Sequence, residues 1–348
     1  MPIVIDGGRV PNLLSRKNRP PSIRPTGKQN AQTGHLRIAL INNMPDPALE
    51  DTEVQFYDLL DSAAGDIPVS LKLYSLPGLP HGDSGTQHLG NFYFSIDDLL
   101  NSRLDGVIVT GTEPRQPNLR EEPYWAALTE VLDWAERNTA SAVLSCLAAH
   151  AGVLHSDGIP RHRLADKQFG VFDYKKVANH ALTQGVGDAV PIPHSRWNEV
   201  REEALASCGY EVLTHSADAG VDLFVKKKKG SLFVHFQGHP EYGTYTLLKE
   251  YRRDIKRFLR WERETYPTMP HGYFDAKTAR LLSTFQEKTT TDRNEKVLAH
   301  FPEDEISSAV SGNWQASGAT IYRNWLHFLL SKKATSSAHS AMTPAVRE

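Results

Sequence analysis

Cysteine is scarce: two residues, Cys146 and Cys208, in a chain of 348. Two thiols cannot build a disulfide framework, and with no CxxC pair and no clustered Cys/His spacing there is no zinc signature. Both thiols are expected to be free. A charge excess of either sign is missing as well. The formal net charge is -2, which gives no general attraction to nucleic acid or to anionic membrane, so neither is expected as a partner. No apolar run approaches the roughly 18 residues of a membrane span, and the N-terminus lacks the charged-then-apolar order of a secretory signal. A cytoplasmic protein is the expectation. His81, His88, His150, His155 and His162 are dispersed along the chain, as hydrogen-bonded structural histidines usually are, and no metal is expected. No internal repeat is visible.

What is present suits one folded unit. Hydrophobic residues make up 40% and aromatics 9%, enough for a sizeable core. A single domain over 35–331 is expected. Residues 1–34 carry prolines and scattered Arg, Lys and Gly without periodicity, and 332–348 are rich in Ser, Ala and Thr. Both ends are expected to be poorly ordered.

Between the ends, short apolar runs alternate with amphipathic stretches. LRIALINNMP (36–45), an apolar run ended by turn residues, VSLKLYSL (69–76), GVIVTGTEP, with Gly111 toward its carboxyl end, and SAVLSC read as buried strands. LEDTEVQFYDLLDSA, IDDLLNSRLDG, PYWAALTEVLDWAERN, CLAAHAGVLHSDG and TYTLLKEYRRDIKRFLRWERE read as helices. This alternation predicts an α/β fold: a mostly parallel, doubly wound sheet with helices on both faces. YEVLTHS reads as a further strand and DLFVKKKKGSLFVHF as a hairpin, its lysine run Lys226 to Lys229 at the solvated tip.

In such sheets ligands collect outside the carboxyl ends of the strands. Cys146 stands there, before Leu147, Ala148 and Ala149. Small residues let the backbone turn sharply and leave N–H groups free, which activates a thiol and supplies oxyanion donors. FQGHPEY, 236–242, follows another apolar strand. Its His239 and Glu241 sit two positions apart across a proline, so both can face one side. A cysteine nucleophile needs a base, and the base needs an orienting carboxylate. Cys146, His239 and Glu241 fill those roles.

The motifs resemble the homoserine O-succinyltransferase family, which uses the class I glutamine amidotransferase fold for acyl transfer. The matching segments are NNMP with TEVQF, HLGNFY, DGVIVTG, YW, GIP, Lys167 with FGVF, PHSR, GHPEY, KEYRRD, PHGYF and NWLHFLL near the C-terminal extension, in one order. The resemblance implies that Cys146 takes the acyl group from acyl-CoA as a thioester. It further implies that His239 is the general base with Glu241 as its partner, and that Lys167, Ser195 and Arg253 contact substrate. An amino-acid acceptor carries a carboxylate for an Arg fork and an ammonium for an acid. Glu250, one helical turn before Arg253, can offer that acid. No bound cofactor is expected, only acyl-CoA, succinyl-CoA or acetyl-CoA, as cosubstrate. A homodimer is implied by family resemblance alone.

Two loops depart from the family pattern. MPDPALED lacks the lysines found after the first MP, which leaves more of the oxyanion to backbone N–H groups. After Gly111 the chain reads TEPRQPNLREEPYW instead of Ala-Pro. This loop selects the acyl donor in the family. Counting places Arg115 at the selecting position, where a guanidinium can pair with the distal carboxylate of a succinyl group; an alignment shifted by two residues would place Glu113 there and favour acetyl. The expected activity is O-acylation of L-homoserine by a ping-pong route in methionine biosynthesis. Three alternatives remain open at this point: serine O-acylation for cysteine biosynthesis, a glutamine amidotransferase-like hydrolase, and a non-catalytic ligand-binding homologue.

Overall fold

A computed structural model describes residues 3–7, 10–15, 22–24 and 35–342. Its strands are β1 (Ile3–Asp6), β2 (Ser22–Arg24), β3 (Leu36–Ile41), β4 (Val69–Tyr74), β5 (Gly106–Val109), β6 (Ser141–Ser145), β7 (His162–Lys176), β8 (Ala189–Glu199), β9 (Glu211–Val212), β10 (Thr214–Ser216), β11 (Gly220–Val221), β12 (Leu223–Lys228) and β13 (Ser231–Phe236). Nine of them form one sheet in the order β2-β1-β4-β3-β5-β6-β13-β12-β9. From β2 to β13 the neighbours run parallel; β12 and β9 turn antiparallel at one edge.

The period of two along β3 divides the core. Leu36, Ile38 and Leu40 face a cluster with Phe56, Tyr57 and Leu60 of the helix Asp46–Ala64 and with Tyr322, Trp325 and Leu326 of the helix Gln315–Met342. Ala39 and Ile41 face the other side, where Leu128, Val131 and Leu132 of the helix Trp125–Asn138 and Ala148 and Ala149 of the helix Leu147–Asp157 cover them. Both faces are therefore buried, as a parallel sheet requires. The α/β fold expected from the alternation of runs is the one observed.

Three features differ from expectation. First, β7 and β8 pair antiparallel in a second sheet, ordered β11-β10-β7-β8, that the apolar pattern did not reveal. Pro191 and Pro193 lie inside β8, and the register shifts between Arg163 and Gln168, so neither strand shows clean alternation. Second, the helices Asp83–Phe92 and Ala276–Thr291 lie in stretches without a visible apolar stripe. Third, the ends are more structured than their composition suggests. Ile3, Ile5 and Leu14 are fully buried, and β1 pairs with β4; a four-residue strand is too short to register as periodicity. Apart from 3–7, 10–15 and 22–24, residues 1–34 lie outside the described residues. The last helix runs through Met342, and 343–348 lie outside the described residues.

The lysine run does form a hairpin, with Lys228 opposite Ser231. Lys226 pairs with Asp157 at 2.6 Å and Lys229 with Glu136 at 3.2 Å.

Candidate active site

β6 and β13 are parallel neighbours with Ser145 opposite Phe236. The residues that follow them therefore emerge side by side at one edge. Cys146 N–H donates to Phe236 O at 2.7 Å, which ties the two strand ends together. Cys146 has φ 53 and ψ -113, a strained conformation for a non-glycine residue. Its carbonyl accepts from Ala149 and His150 N–H, so the helix Leu147–Asp157 starts at once and its first N–H groups are left outside the ladder. Gly111, at the end of β5, closes on this elbow: a Cβ there would lie 3.0 Å from Leu147 N.

The turn after β13 is fixed from several sides. Gln237 is fully buried; it donates to Val221 O at 2.7 Å and accepts from Val200 N–H at 2.7 Å. Gly238 N–H donates to Asp222 at 2.7 Å, and His239 N–H to Pro193 O at 2.8 Å. Any side chain on Gly238 would meet Ile192 and His194 within 2.8 Å. Burial lifts the Asp222 carboxyl to about 7, despite the Gly238 N–H.

The Cys146 side chain acts electrostatically on His239 from one side, and on the other the His239 Nδ1 lies 2.8 Å from Glu241 Oε1. Burial alone would lower its pKa; the Cys146 sulfur and the Glu241 carboxylate outweigh it and raise the imidazole well above its ordinary range. The three residues anticipated from sequence are thus contiguous, and the arrangement can hold a Cys-His ion pair braced by a carboxylate.

Tyr242 links this trio to a second cluster. Its ring stacks on His239 with centroids 4.2 Å apart, and its hydroxyl donates to Glu250 Oε1 at 2.6 Å. The Ser195 hydroxyl donates to the other Glu250 oxygen. Lys167 lies 3.6 Å from Glu250 and 3.2 Å from Asp254. Arg253 lies 3.7 Å from Glu250 and 3.1 Å from Asp254. Burial would raise Glu250, yet Lys167 and Arg253 hold its carboxyl below the usual range. The fold brings Lys167, Ser195, Glu250 and Arg253 into one cluster. Asp254 and Tyr242 were not singled out from sequence, although one closes the KEYRRD motif and the other the GHPEY motif. Two cations and two carboxylates in one partly dry pocket suit a zwitterion, whose ammonium and carboxylate each find an opposite charge.

The loop after Gly111 divides its residues. Glu113 is exposed and lies 3.9 Å from Arg257. Arg115 is exposed; its N–H donates to Glu122 at 2.6 Å, and its guanidinium has no ion-pair partner among the described residues. Among the dispersed histidines, His81 bonds Asp46, His88 bonds Glu53, His150 bonds Gln237 and His155 bonds Asp133. Among the described residues, no group of three or more His, Cys, Asp or Glu is arranged to hold a metal ion, and no helix is long and apolar enough to cross a membrane.

Fold and site together define an α/β enzyme with a Cys-His-Glu trio at the carboxyl edge of a parallel sheet. The family model described as homoserine O-succinyltransferase matches residues 12–336. The chain belongs to the homoserine O-succinyltransferase family. It is 43% identical to a homoserine O-succinyltransferase of Rhodopseudomonas palustris over 297 residues, 85% of this chain and 89% of that one. It is 41% identical to one of Bradyrhizobium japonicum over 317 residues, 90% and 97% of the two chains. A solved glutamine amidotransferase of Methylobacillus flagellatus aligns with a TM-score of 0.48 at 12% identity, covering 85% of this chain and 96% of that one.

Proposed function

We propose that the chain transfers the succinyl group of succinyl-CoA to the hydroxyl of L-homoserine through a thioester on Cys146. His239 takes the Cys146 proton, and the sulfur attacks the thioester carbonyl of the donor. The N–H groups of Leu147 and Gly111 face the resulting oxyanion. CoA leaves as its thiolate and takes the proton from His239. The acceptor then enters the pocket of Lys167, Ser195, Glu250 and Arg253, with its ammonium toward Glu250 and its carboxylate toward Arg253. His239 removes the hydroxyl proton, the oxygen attacks the enzyme thioester, and collapse returns Cys146 with the ester product. Glu241 holds the ring of His239 in the orientation both half-reactions need. The loop of Gly111, Glu113 and Arg115 borders the acyl group. Residues 35–331 form the acyltransferase domain, acting in the cytoplasm with no bound cofactor, as a homodimer by resemblance to the family.

The observation that carries this reading is the placement of His239 between Cys146 and Glu241, one stacked ring away from a zwitterion pocket. Incubation with succinyl-CoA alone is expected to add one succinyl group to the protein mass and release free CoA. Cys146→Ala should abolish the mass gain. Mass gain in the Ala variant, or none in the wild type, sinks the proposal.

A further inference from the structure

The acyl loop runs from the nucleophile to a second guanidinium. At its start, Gly111 presses on Leu147 N. In its middle, the buried Glu122 carboxylate accepts from the N–H groups of Arg115 and Gln116 at 2.6 and 2.7 Å. At its far end, the carbonyls of Gln116 and Pro117 accept from Nη2 of Arg161 at 3.3 and 3.1 Å. Arg161 arrives there because Gly158 ends the preceding helix in the left-handed conformation and Ile159 N–H folds back onto Val153 O. The chain is thereby returned toward the elbow.

Arg161 is partly buried, and among the described residues no carboxylate lies within 4 Å of it. The rest of its fork has no hydrogen-bond or ion-pair partner among the described residues. Close enough to interact with it electrostatically stands Tyr124, only 4% exposed, whose hydroxyl is buried without a hydrogen bond among the described residues. A buried hydroxyl left unpaired is destabilising, and a ligand oxygen would relieve that cost. Burial pulls the Arg161 guanidinium below its usual range, while Tyr124, Glu122 and Cys146 act the other way and Arg163 adds to the fall.

Resting on the proposed function, we infer that Arg161, aided by the Tyr124 hydroxyl, binds the distal carboxylate of the succinyl group while that group is a thioester on Cys146. A succinyl chain carries an anion at its far end that must leave water as the pocket fills. A half-used planar fork and an unpaired hydroxyl, on a wall that begins at the nucleophile, match that anion. Acetyl offers them nothing. Arg115 lies in the same loop but presents its side chain to solvent.

The test is single-turnover acylation followed by mass, with succinyl-CoA and acetyl-CoA, on wild type, Arg161→Gln, Arg161→Lys and Arg115→Gln. Arg161→Gln is expected to lower acylation by succinyl-CoA about 100-fold, the scale of one charge-assisted pair. Acylation by acetyl-CoA should change less than about threefold, which also certifies the fold, and Arg161→Lys should lie between. Inhibition by free CoA should be unchanged. An equal fall with both donors together with weaker CoA inhibition would assign Arg161 to the CoA phosphates and overturn the inference. Unchanged donor preference in Arg161→Gln, or its loss in Arg115→Gln instead, would overturn it too. Absence of any acyl-enzyme in the wild type would refute the proposed function itself, a different outcome.

Discussion

The strain at Cys146 and the charge on His239 act at one point. A positive φ aims the sulfur out of the sheet edge, and the neighbouring strand end supplies the imidazole. Glu241 is only 7% exposed; its Oε1 serves His239 and Ser145, while its Oε2 is buried without a hydrogen-bond partner among the described residues. Its negative charge favours the imidazolium, so removing it must lower the pKa of His239. Glu241→Gln is therefore expected to move the alkaline limb of kcat/KM for the acyl donor to lower pH, and to reduce kcat/KM about 10²- to 10⁴-fold. A pH-rate profile whose limb stays in place would show that Glu241 does not support the ring. All three residues of the trio were readable because each lies at or just past an apolar strand. Tyr242 and Asp254 were not, since a tyrosine and an aspartate in a helix-forming stretch carry no signal until the chain places them beside Glu250.

At the scale of elements, the PHGYF segment shows how a motif works through backbone. His271 bridges Gly170 of β7: Val171 N–H donates to His271 O at 2.7 Å, and His271 N–H to Phe169 O at 2.9 Å. Gly170 has φ 136, and a Cβ there would lie 2.2 Å from His271 O. Gly170→Ala must push this segment off β7, the strand that carries Lys167. A loss of about 2 to 4 kcal/mol is expected in denaturant titration, with a raised KM for homoserine. A variant as stable as wild type would show that the contact is dispensable. The sequence marked this segment as a motif but offered no partner for it, because β7 and β8 hide their alternation behind prolines and a register shift.

Across the whole molecule, stability depends on both chain ends. The helix Gln315–Met342 lays Trp325 against Gly106, where a Cβ would meet the indole at 2.9 Å, and Trp325 Nε1–H donates to Ser141 Oγ at 2.9 Å. Ile3, Ile5 and Leu14 extend the same core at the other edge of the sheet. Each such aliphatic side chain contributes about 2 kcal/mol when buried. Deleting residues 1–15 is therefore expected to lower the apparent Tm by at least about 5 °C, as scanning calorimetry would read. An unchanged Tm would mean that the first strand adds nothing to the sheet.

Sequence alone determined the parallel core, the two strand ends that carry Cys146 and His239, and the family. These depend on local periodicity and on short motifs, which are properties of neighbouring residues. Tertiary structure decided the second sheet, the sharing of Glu250 and Asp254 between Lys167 and Arg253, and the approach of Arg161 to the acyl loop. Those contacts join residues far apart in the chain, and their energy exists only once the folded backbone has removed the solvent between them.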